Sequence, residues 1–362
     1  MALDEAPPFW WQKPSIFAFA LAPVAYFYGR VAGIRMMSEP SGNVPVPVIC
    51  VGNFVTGGAG KTPTVQMLTR FVRKAGRNPG ILSRGHGGAI NSATVVKLER
   101  HNAHDVGDEA LLHAALATTV VSPDRPEGAT LLVEQGCDFI IMDDGFQNPG
   151  LEKDYNLVVI DAKRGIGNGF TMPAGPMRVP LKTQMLKADG IMVIGDEDGA
   201  DKIIRRAARA AKPIFHASIS VIGKTKIKGM KALAFAGIAD PSKFFDTLKN
   251  NKVKVEDNQA FGDHHVFLAD ECRDLMERAE KSELQLMTTT KDMARLKDMG
   301  DDQNKLAEAS MPIMIELKPD DPGMLERIVT TAIERARKRK LRAAETQKPT
   351  PEPPVEEESS TA

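Results

Sequence analysis

A glycine-rich segment, VGNFVTGGAGKTP, lies between an apolar run and an amphipathic pattern. Backbone N–H groups of small residues before a helix can surround a phosphate, while a lysine and a hydroxyl residue bind phosphate charge and Mg²⁺. Val55 stands where the usual G-x-x-x-x-G-K-[ST] spacing has a glycine. We predict a nucleotide loop with Lys61 on the β- and γ-phosphates and Thr62 on Mg²⁺. The alternative is a glycine-rich turn with a surface lysine. The predicted phosphate-binding residues are Thr56, Gly57, Gly58, Ala59, Gly60, Lys61, Thr62 and Pro63.

Two pairs of adjacent carboxylates are candidates for the chemistry. Asp143 and Asp144 follow the apolar run 139–142, which is typical of a buried strand that ends in carboxylates on the metal side of a phosphate site. Asp108 and Glu109 begin a helical pattern in HDVGDEALLHAAL. Acidic residues in a first helical turn are common caps, so this pair could be structural. Alternatively, one of them accepts a proton from a hydroxyl that attacks a γ-phosphate.

A further polar cluster, GDHHVF, contains His264 and His265. By itself it indicates either a capped turn or a ligand or base, and at most one of the two side chains would face a cleft. No guanine-specific N-K-x-D motif occurs, because Lys291 and Asp292 are adjacent in TTTKDMAR. We therefore predict an adenine nucleotide.

The elements that must position these residues alternate in type. Short apolar runs (VPVICVG, NPGILSRG, TTVVS, CDFIIMDD, NLVVIDA and DGIMVIG) alternate with helical patterns such as KTPTVQMLTRFVRKAG. This order predicts an α/β fold whose P-loop domain is a doubly wound, mostly parallel sheet. Ligands of such sheets collect at the carboxyl ends of the strands, where the candidate residues stand. A second, smaller α/β domain is predicted to follow.

Composition sets further limits. The chain has 362 residues, of which 42% are hydrophobic and 26% charged, as in a soluble protein of two domains. Lys plus Arg equals Asp plus Glu, 47 each, so overall charge gives no indication of nucleic-acid binding. We expect a monomer. Three widely spaced cysteines form no C-x-x-C pair and indicate a reducing compartment.

The two ends differ from the middle. No charged residue stands between Lys13 and Arg30, and Pro23 interrupts an apolar stretch that is short for a spanning helix. We predict a helical segment that lies in one membrane leaflet; the alternative is a helical hairpin packed on the core. The predicted organisation is a membrane-associated segment at 1–36, a P-loop core at 37–212, linking strands at 213–230, a smaller domain at 231–341 and a disordered tail at 342–362.

Taken in order, eight motifs resemble the tetraacyldisaccharide 4′-kinase family of lipid A biosynthesis. They are VGNFVTGGAGKTP, ILSRGHGG, VGDEA, DDGFQN, PAGPMRVP, FAGIADPSKFF, GDHHVF and TTTKDMARL. The resemblance runs from the aromatic N-terminus to about residue 340. The chain departs from the family's usual residues at four positions that lie beside the predicted site residues, namely His86, Ala110, Asn148 and Val179.

The resemblance implies an ATP- and Mg²⁺-dependent kinase at the cytoplasmic face of the inner membrane. Its substrate would be a tetraacylated glucosamine disaccharide 1-phosphate, phosphorylated at the 4′-hydroxyl. By carry-over, Asp108 is the base assisted by His264, and Lys61 acts on the phosphates. Thr62, Glu109, Asp143 and Asp144 would surround the metal, and Gln147 and Arg178 would line the nucleotide site. Arg125, in SPDRPEGA, is carried over from the family as well. The alternatives are a membrane-associated P-loop ATPase and a non-enzymatic membrane adaptor.

Overall fold

The computed structural model describes residues 6–346, which form two sheets with helices on their faces. The strands are β1 Val48–Gly52, β2 Pro79–Ser83, β3 Thr94–Val95, β4 Thr118–Val121, β5 Phe139–Asp143, β6 Tyr155–Asp161, β7 Gly190–Ile194, β8 Ile214–Val221, β9 Lys231–Ala236, β10 Lys254–Ala260, β11 Gln285–Thr289, β12 Ser310–Ile313 and β13 Ile315–Pro319. The helices are α1 Ile16–Met36, α2 Lys61–Lys74, α3 Ala103–Val106, α4 Asp108–Ala114, α5 Arg125–Glu134, α6 Leu181–Lys187, α7 Asp201–Arg209, α8 Lys224–Ile227, α9 Pro241–Asn250, α10 Ala269–Lys281, α11 Thr290–Leu296, α12 Asp301–Ala309 and α13 Met324–Thr346.

The large sheet has nine strands in the order β13-β8-β7-β6-β1-β5-β2-β4-β3. Its seven central strands are parallel, and only the edge strands β3 and β13 run antiparallel to their neighbours. β1, β2, β5 and β7 are buried along their whole length, because helices cover both faces of a parallel sheet. The register pairs Val51 of β1 with Asp143 of β5. The loop that follows β1 therefore lies beside the two aspartates.

Helices cover the two faces of this sheet as the doubly wound prediction requires. α2 and α13 pack on one face through residues such as Leu68 and Ile328. On the other face, residues of α1, α5, α6 and α7 contribute to a second core, including Leu132 and Ile203. The predicted P-loop fold class is confirmed.

The smaller sheet has four parallel strands in the order β10-β9-β11-β12. α9 covers one face through Phe244, Phe245 and Leu248. α10 and α12 cover the other face through Leu275 and Leu306. This arrangement confirms the predicted second α/β domain and leaves the carboxyl end of β11 to continue directly into α11.

The domain boundaries differ from the prediction in two places. β8 joins β7 in the large sheet, so the predicted linker 213–230 contains a strand of the large domain. The apolar run MPIMIEL, residues 311–317, has the pattern of a single strand but is divided at Met314. β12 pairs with β11 in the small sheet, whereas β13 pairs with β8 in the large one. β13 and α13 thus return to the large domain, although the sequence pattern assigned them to 231–341. Sequence periodicity identifies strands but does not identify the sheet that each one joins.

The N-terminal segment forms one continuous helix, α1, instead of a hairpin. Pro23 lies inside it without ending it. Small residues form the face that packs on the large domain: an added Cβ at Gly29 would come within 3.1 Å of Pro180, and Thr171 donates a hydrogen bond to the Ala25 carbonyl at 2.8 Å. Within residues 6–346, α1 is the one helix long and apolar enough to cross a bilayer. Most of its large apolar side chains are exposed, notably Ile16, Phe17, Phe19, Val24, Tyr26, Phe27, Val31 and Ile34.

The C-terminal helix extends past the predicted start of the tail. α13 continues to Thr346, whereas the sequence predicted disorder from residue 342. Arg339 fixes the helix on the large domain because its guanidinium donates to the Val44 carbonyl at 2.6 Å and to Asp154 Oδ2 at 2.9 Å. The remainder of the predicted tail, 347–362, lies outside the described residues.

Candidate active site

The glycine-rich loop connects β1 to α2 and has the geometry of a phosphate loop. Gly60 has φ 91° and is the last residue before the helix, and a Cβ there would lie 2.5 Å from Ile194 Cδ1, so only glycine fits. Asn53 Nδ2 donates to the Gly57 carbonyl at 3.1 Å and shapes the turn. The Thr56 hydroxyl is buried and has no partner within residues 6–346. The loop thus contains a buried hydroxyl without a partner among the described residues, and it leads into a helix N-terminus, where phosphates bind.

Lys61 lies at the start of α2 and faces Asp144. Its Nζ is 3.8 Å from Asp144 Oδ2. Arg178 binds the same carboxylate with both terminal nitrogens, at 2.6 Å and 2.9 Å. Burial raises the pKa of Asp144, but the charges of Lys61 and Arg178 outweigh burial and hold it well below its usual range. Gln147 lies next to this group, with Oε1 3.4 Å from Arg178 Nη1. One carboxylate with two cations leaves a net positive charge beside the phosphate loop.

Thr62 and Glu109 meet on the other side of the loop. The Thr62 hydroxyl donates to Glu109 Oε1 at 3.1 Å, and Lys291 Nζ of α11 reaches the same oxygen at 2.5 Å. Burial raises the pKa of Glu109, but Lys291 and Lys61 lower it to about 2. Lys291 comes from the smaller domain, so Glu109 connects the phosphate loop with α11.

The two carboxylate oxygens of Asp108 contact different partners. Arg295 of α11 donates to Oδ2 through Nε at 3.0 Å and Nη2 at 2.5 Å, and His264 Nδ1 lies 3.5 Å from Oδ1. Burial raises the pKa of Asp108, but His264, Arg295 and Lys291 lower it far below its usual range. The hydrogen bond to Asp108 raises the pKa of His264. Asp108 is therefore an ionised carboxylate beside an imidazole that readily holds a proton.

The backbone before Asp108 explains how this carboxylate reaches the site. Gly107 has φ 83°, and a Cβ there would lie 2.3 Å from the His86 carbonyl oxygen. Only glycine allows this turn, which directs the first residues of α4 toward the phosphate loop. The His86 ring lies against His264, with 5.4 Å between ring centroids. Close packing around Gly107 thus brings α4 and the GDHHVF loop together.

Asp143, at the end of β5, makes a different contact. Its Oδ2 lies 2.8 Å from His113 Nε2 of α4, and both side chains are buried. The other oxygen of Asp143, Oδ1, has no hydrogen-bond partner within the described part of the chain. Buried carboxylate oxygens are satisfied in native proteins, so this oxygen has the character of a ligand to a cation or to a bound water.

The predicted metal residues do not form one cluster. Thr62 and Glu109 are in contact, whereas Asp143 faces His113 and Asp144 faces Lys61 and Arg178. Across residues 6–346, no group of three His, Cys, Asp or Glu residues has the arrangement of a complete metal site. Mg²⁺ keeps several waters and takes one or two carboxylates beside phosphate oxygens, so a threonine with one carboxylate fits it.

Sequence reasoning missed three of the residues that shape this site. Arg295 and Lys291 bind Asp108 and Glu109 from the other domain, and His113 binds Asp143. TTTKDMARL was among the resembling motifs, and its Lys291 and Arg295 stand at i and i+4, a spacing that places both on one face of α11. His113 gave no signal, because a histidine inside an apolar helical pattern is usually a core residue.

The domains also touch beside the phosphate loop. Arg164 Nη2 lies 3.0 Å from Asp240 Oδ2, and Lys243 pairs with Asp161 at the end of β6. A Cβ added to Gly58 would lie 3.6 Å from Ala239. The smaller domain therefore lies beside the phosphate loop.

The sequence matches the profile of the tetraacyldisaccharide-1-P 4′-kinase family over residues 17–334. The chain belongs to this family. A tetraacyldisaccharide 4′-kinase of Rhizobium rhizogenes strain K84 is 49% identical over 340 residues, which cover 94% of this chain and 96% of the relative. One from Rhizobium leguminosarum bv. trifolii strain WSM2304 is 47% identical over 340 residues, covering 94% and 95% of the two chains.

One solved structure has a fold similar to that of this chain. LpxK from Aquifex aeolicus, crystallised in complex with ATP, superposes with a TM-score of 0.67 at 24% identity. The match covers 88% of this chain and all of the Aquifex chain. The fold of both domains is therefore shared with a protein that was crystallised with ATP.

Proposed function

We propose that this kinase transfers the γ-phosphate of ATP to the 4′-hydroxyl of a tetraacyl-glucosamine disaccharide 1-phosphate, a precursor of lipid A. Family membership supports the reaction class. One geometric observation carries the proposal: the Asp108–His264 pair lies one residue from Glu109, which itself contacts Thr62 of the phosphate loop. A proton acceptor is thus adjacent to the place where a γ-phosphate would be held.

The reaction needs an acceptor oxygen in line with the transferring phosphorus. A bond forms between the 4′-oxygen and the γ-phosphorus while the bond from that phosphorus to the β–γ bridging oxygen breaks, so that ADP leaves. The N–H groups at the start of α2 hold the phosphates, and Lys61 balances the charge that develops on them. Arg178 adds a second positive charge beside Asp144. These residues orient the phosphate and do not react with it.

The hydroxyl proton passes to the Asp108–His264 pair. A carboxylate that Arg295 and His264 hold far below its usual pKa is a weak base when it acts alone. His264 has a raised pKa and lies 3.5 Å from the carboxylate, so the pair stores the proton on the imidazole. We assign Asp108 the role of orienting and charging His264 during proton transfer.

Mg²⁺ fits the residues on the phosphate side of the site. Thr62 and Glu109 are in contact, and Asp143 carries a buried oxygen with no partner in the described residues. When bound, Mg²⁺ would neutralise β- and γ-phosphate charge. Asp144 is already paired with Lys61 and Arg178, so we assign it to orienting those two cations.

A membrane location follows from the substrate and from α1. Each buried CH₂ of an acyl chain contributes about 0.8 kcal/mol, so a lipid with four chains stays in its bilayer and the enzyme must bind there. α1 exposes an apolar surface about 31 Å long at 1.5 Å per residue, while its small-residue face packs on the protein. We assign α1 to lying within the cytoplasmic leaflet of the inner membrane. One chain contains every residue assigned above, so a monomer suffices.

The deciding experiment is a transfer assay. Purified protein is incubated with γ-labelled ATP, Mg²⁺ and a tetraacyl-disaccharide 1-phosphate in detergent, and label is measured in the lipid and in free phosphate. We expect label in the lipid, and much less of it in Asp108→Ala and His264→Ala. Label found only in free phosphate would identify an ATPase, and absence of turnover would identify a non-enzymatic adaptor.

A further inference from the structure

His113 and Asp143 form a buried polar pair, and the reaction described above gives His113 no role. His113 is completely buried on α4, and Asp143 is 1% exposed at the end of β5. Nε2 of the imidazole lies 2.8 Å from Oδ2 of the carboxylate. Since α4 also carries Asp108 and Glu109, the pair links the helix of these two carboxylates to the strand beside the phosphate loop.

The pairing is incomplete on both sides. In the described part of the chain, His113 Nδ1 and Asp143 Oδ1 have no hydrogen-bond partner. A core histidine that served packing alone would have both nitrogens satisfied, as buried polar groups normally are. A buried carboxylate with one oxygen fixed and the other unused has the arrangement of a ligand oriented by a neighbour.

We propose that His113 is a positioning residue for the metal side of the site: its Nε2–H fixes Asp143 through Oδ2 and leaves Oδ1 to bind Mg²⁺ or a magnesium-bound water. This inference rests on the proposed function, because it needs a Mg²⁺–ATP site at the phosphate loop. His113 touches neither substrate nor phosphate. Without it, the Asp143 carboxylate would lose the one hydrogen bond that it makes within residues 6–346 and could rotate, so that Oδ1 would no longer point in one direction.

Three substitutions separate this role from packing. His113→Leu keeps the bulk and removes the donor. In His113→Gln the side-chain amide nitrogen replaces Nε2 at similar reach, whereas His113→Asn places its amide nitrogen near the position of Nδ1, too short for Asp143. We expect His113→Leu and His113→Asn to weaken the Mg²⁺-dependent part of nucleotide binding about 10- to 100-fold, the usual effect of removing a partner of a metal ligand. His113→Gln should restore most of it.

The readout is binding and does not require turnover. A fluorescent ATP analogue is titrated against each variant in EDTA and then with increasing Mg²⁺. Affinity in EDTA should match wild type, and only the Mg²⁺ concentration at half-effect should move. Val120→Ala, a core change on β4, serves as the control for general loosening and should lower the melting temperature without moving the Mg²⁺ midpoint.

The outcomes are distinguishable. A wild-type Mg²⁺ midpoint in His113→Leu, or equal defects in the Gln and Asn variants, would overturn the role of His113. If His113→Leu does not fold, the comparison of Gln with Asn decides the question. A wild-type protein whose nucleotide affinity does not respond to Mg²⁺ would instead count against the proposed function and remove the basis of this inference with it.

Discussion

Arg295 of the smaller domain binds Asp108 of the large domain through two nitrogens on one oxygen, Nε at 3.0 Å and Nη2 at 2.5 Å from Oδ2. Asp292 holds the same guanidinium at 2.9 Å. The carboxylate that orients His264 in the proposed reaction is therefore fixed by a residue 187 positions away in sequence. The contact leaves Oδ1 of Asp108 for His264, so α11 orients the pair.

Removing Arg295 should destabilise the protein and slow the reaction. Arg295→Ala removes both hydrogen bonds to Oδ2 of the buried Asp108 carboxylate, and breaking such a buried pair costs about 3–5 kcal/mol. Both side chains are nearly inaccessible, at 7% and 4%. We expect a fall of that size in the free energy of unfolding, measured by urea denaturation. Arg205→Ala breaks an exposed pair with Asp201 and should change it by about 0–1 kcal/mol. Equal effects of the two substitutions would contradict this account.

The pH dependence of kcat/KM should report His264. The hydrogen bond to Asp108 raises the pKa of His264 above 6.5, and neutral imidazole is needed to accept the proton. Activity should therefore fall as pH decreases through that raised value. The contribution of the pair to stability has the opposite sign: it is complete below pH 6.5 and is lost as pH rises through the raised pKa.

Two histidine variants check whether His264 causes the fall of kcat/KM at low pH, here called the acidic limb. His264→Ala should have low activity without the acidic limb, whereas His216→Ala, which changes an exposed residue of β8, should keep the wild-type profile. An unchanged limb in His264→Ala would remove His264 from proton transfer and return that role to another group.

Lys61 should matter for catalysis more than for folding. Its ammonium is the charge nearest the phosphate loop on α2, and loss of one such stabilising group typically lowers kcat by about 10²–10³-fold. Lys61→Ala should show a decrease of that size in steady-state assays, with a melting temperature close to wild type. Lys202→Ala on α7 removes an exposed lysine elsewhere and should leave kcat unchanged. Wild-type kcat in Lys61→Ala would exclude a role in transfer.

The exposed face of α1 should determine membrane binding. Phe27 and Val31 are 70% and 69% exposed and stand one turn apart. Burying each of these side chains in the bilayer contributes about 1.5 kcal/mol or more to membrane binding. The double variant Phe27→Asp with Val31→Asp should therefore lower vesicle partitioning about 10²-fold. Sedimentation with phospholipid vesicles measures this. Leu98→Asp, at an exposed leucine outside α1, is the control.

The point variants are more informative than deletion of residues 1–36. α1 also contributes Met36 and its small-residue face to the packing of the large domain, so deletion would disturb the core as well as the membrane contact. Retention of the double aspartate variant on vesicles would shift the membrane contact to another surface.

Local sequence predicted the elements well where pattern and structure depend on near neighbours. Short apolar runs predict the strands β1, β2, β4, β5, β6 and β7. Glycine spacing and a helix start predict the loop from Thr56 to Pro63. Sheet membership was harder. The strand MPIMIEL is divided between two sheets because pairing partners are chosen by contacts far apart in sequence.

The sequence by itself determined which residues could bind phosphate and accept a proton: Lys61, Thr62, Asp108 and His264 are recognisable from their motifs. Only the tertiary structure decided how their charges are balanced. Arg295 pairs with Asp108, Lys291 with Glu109, and His113 with Asp143. Each of these partners arrives from another element, because a buried carboxylate must find a partner in space wherever the fold supplies one.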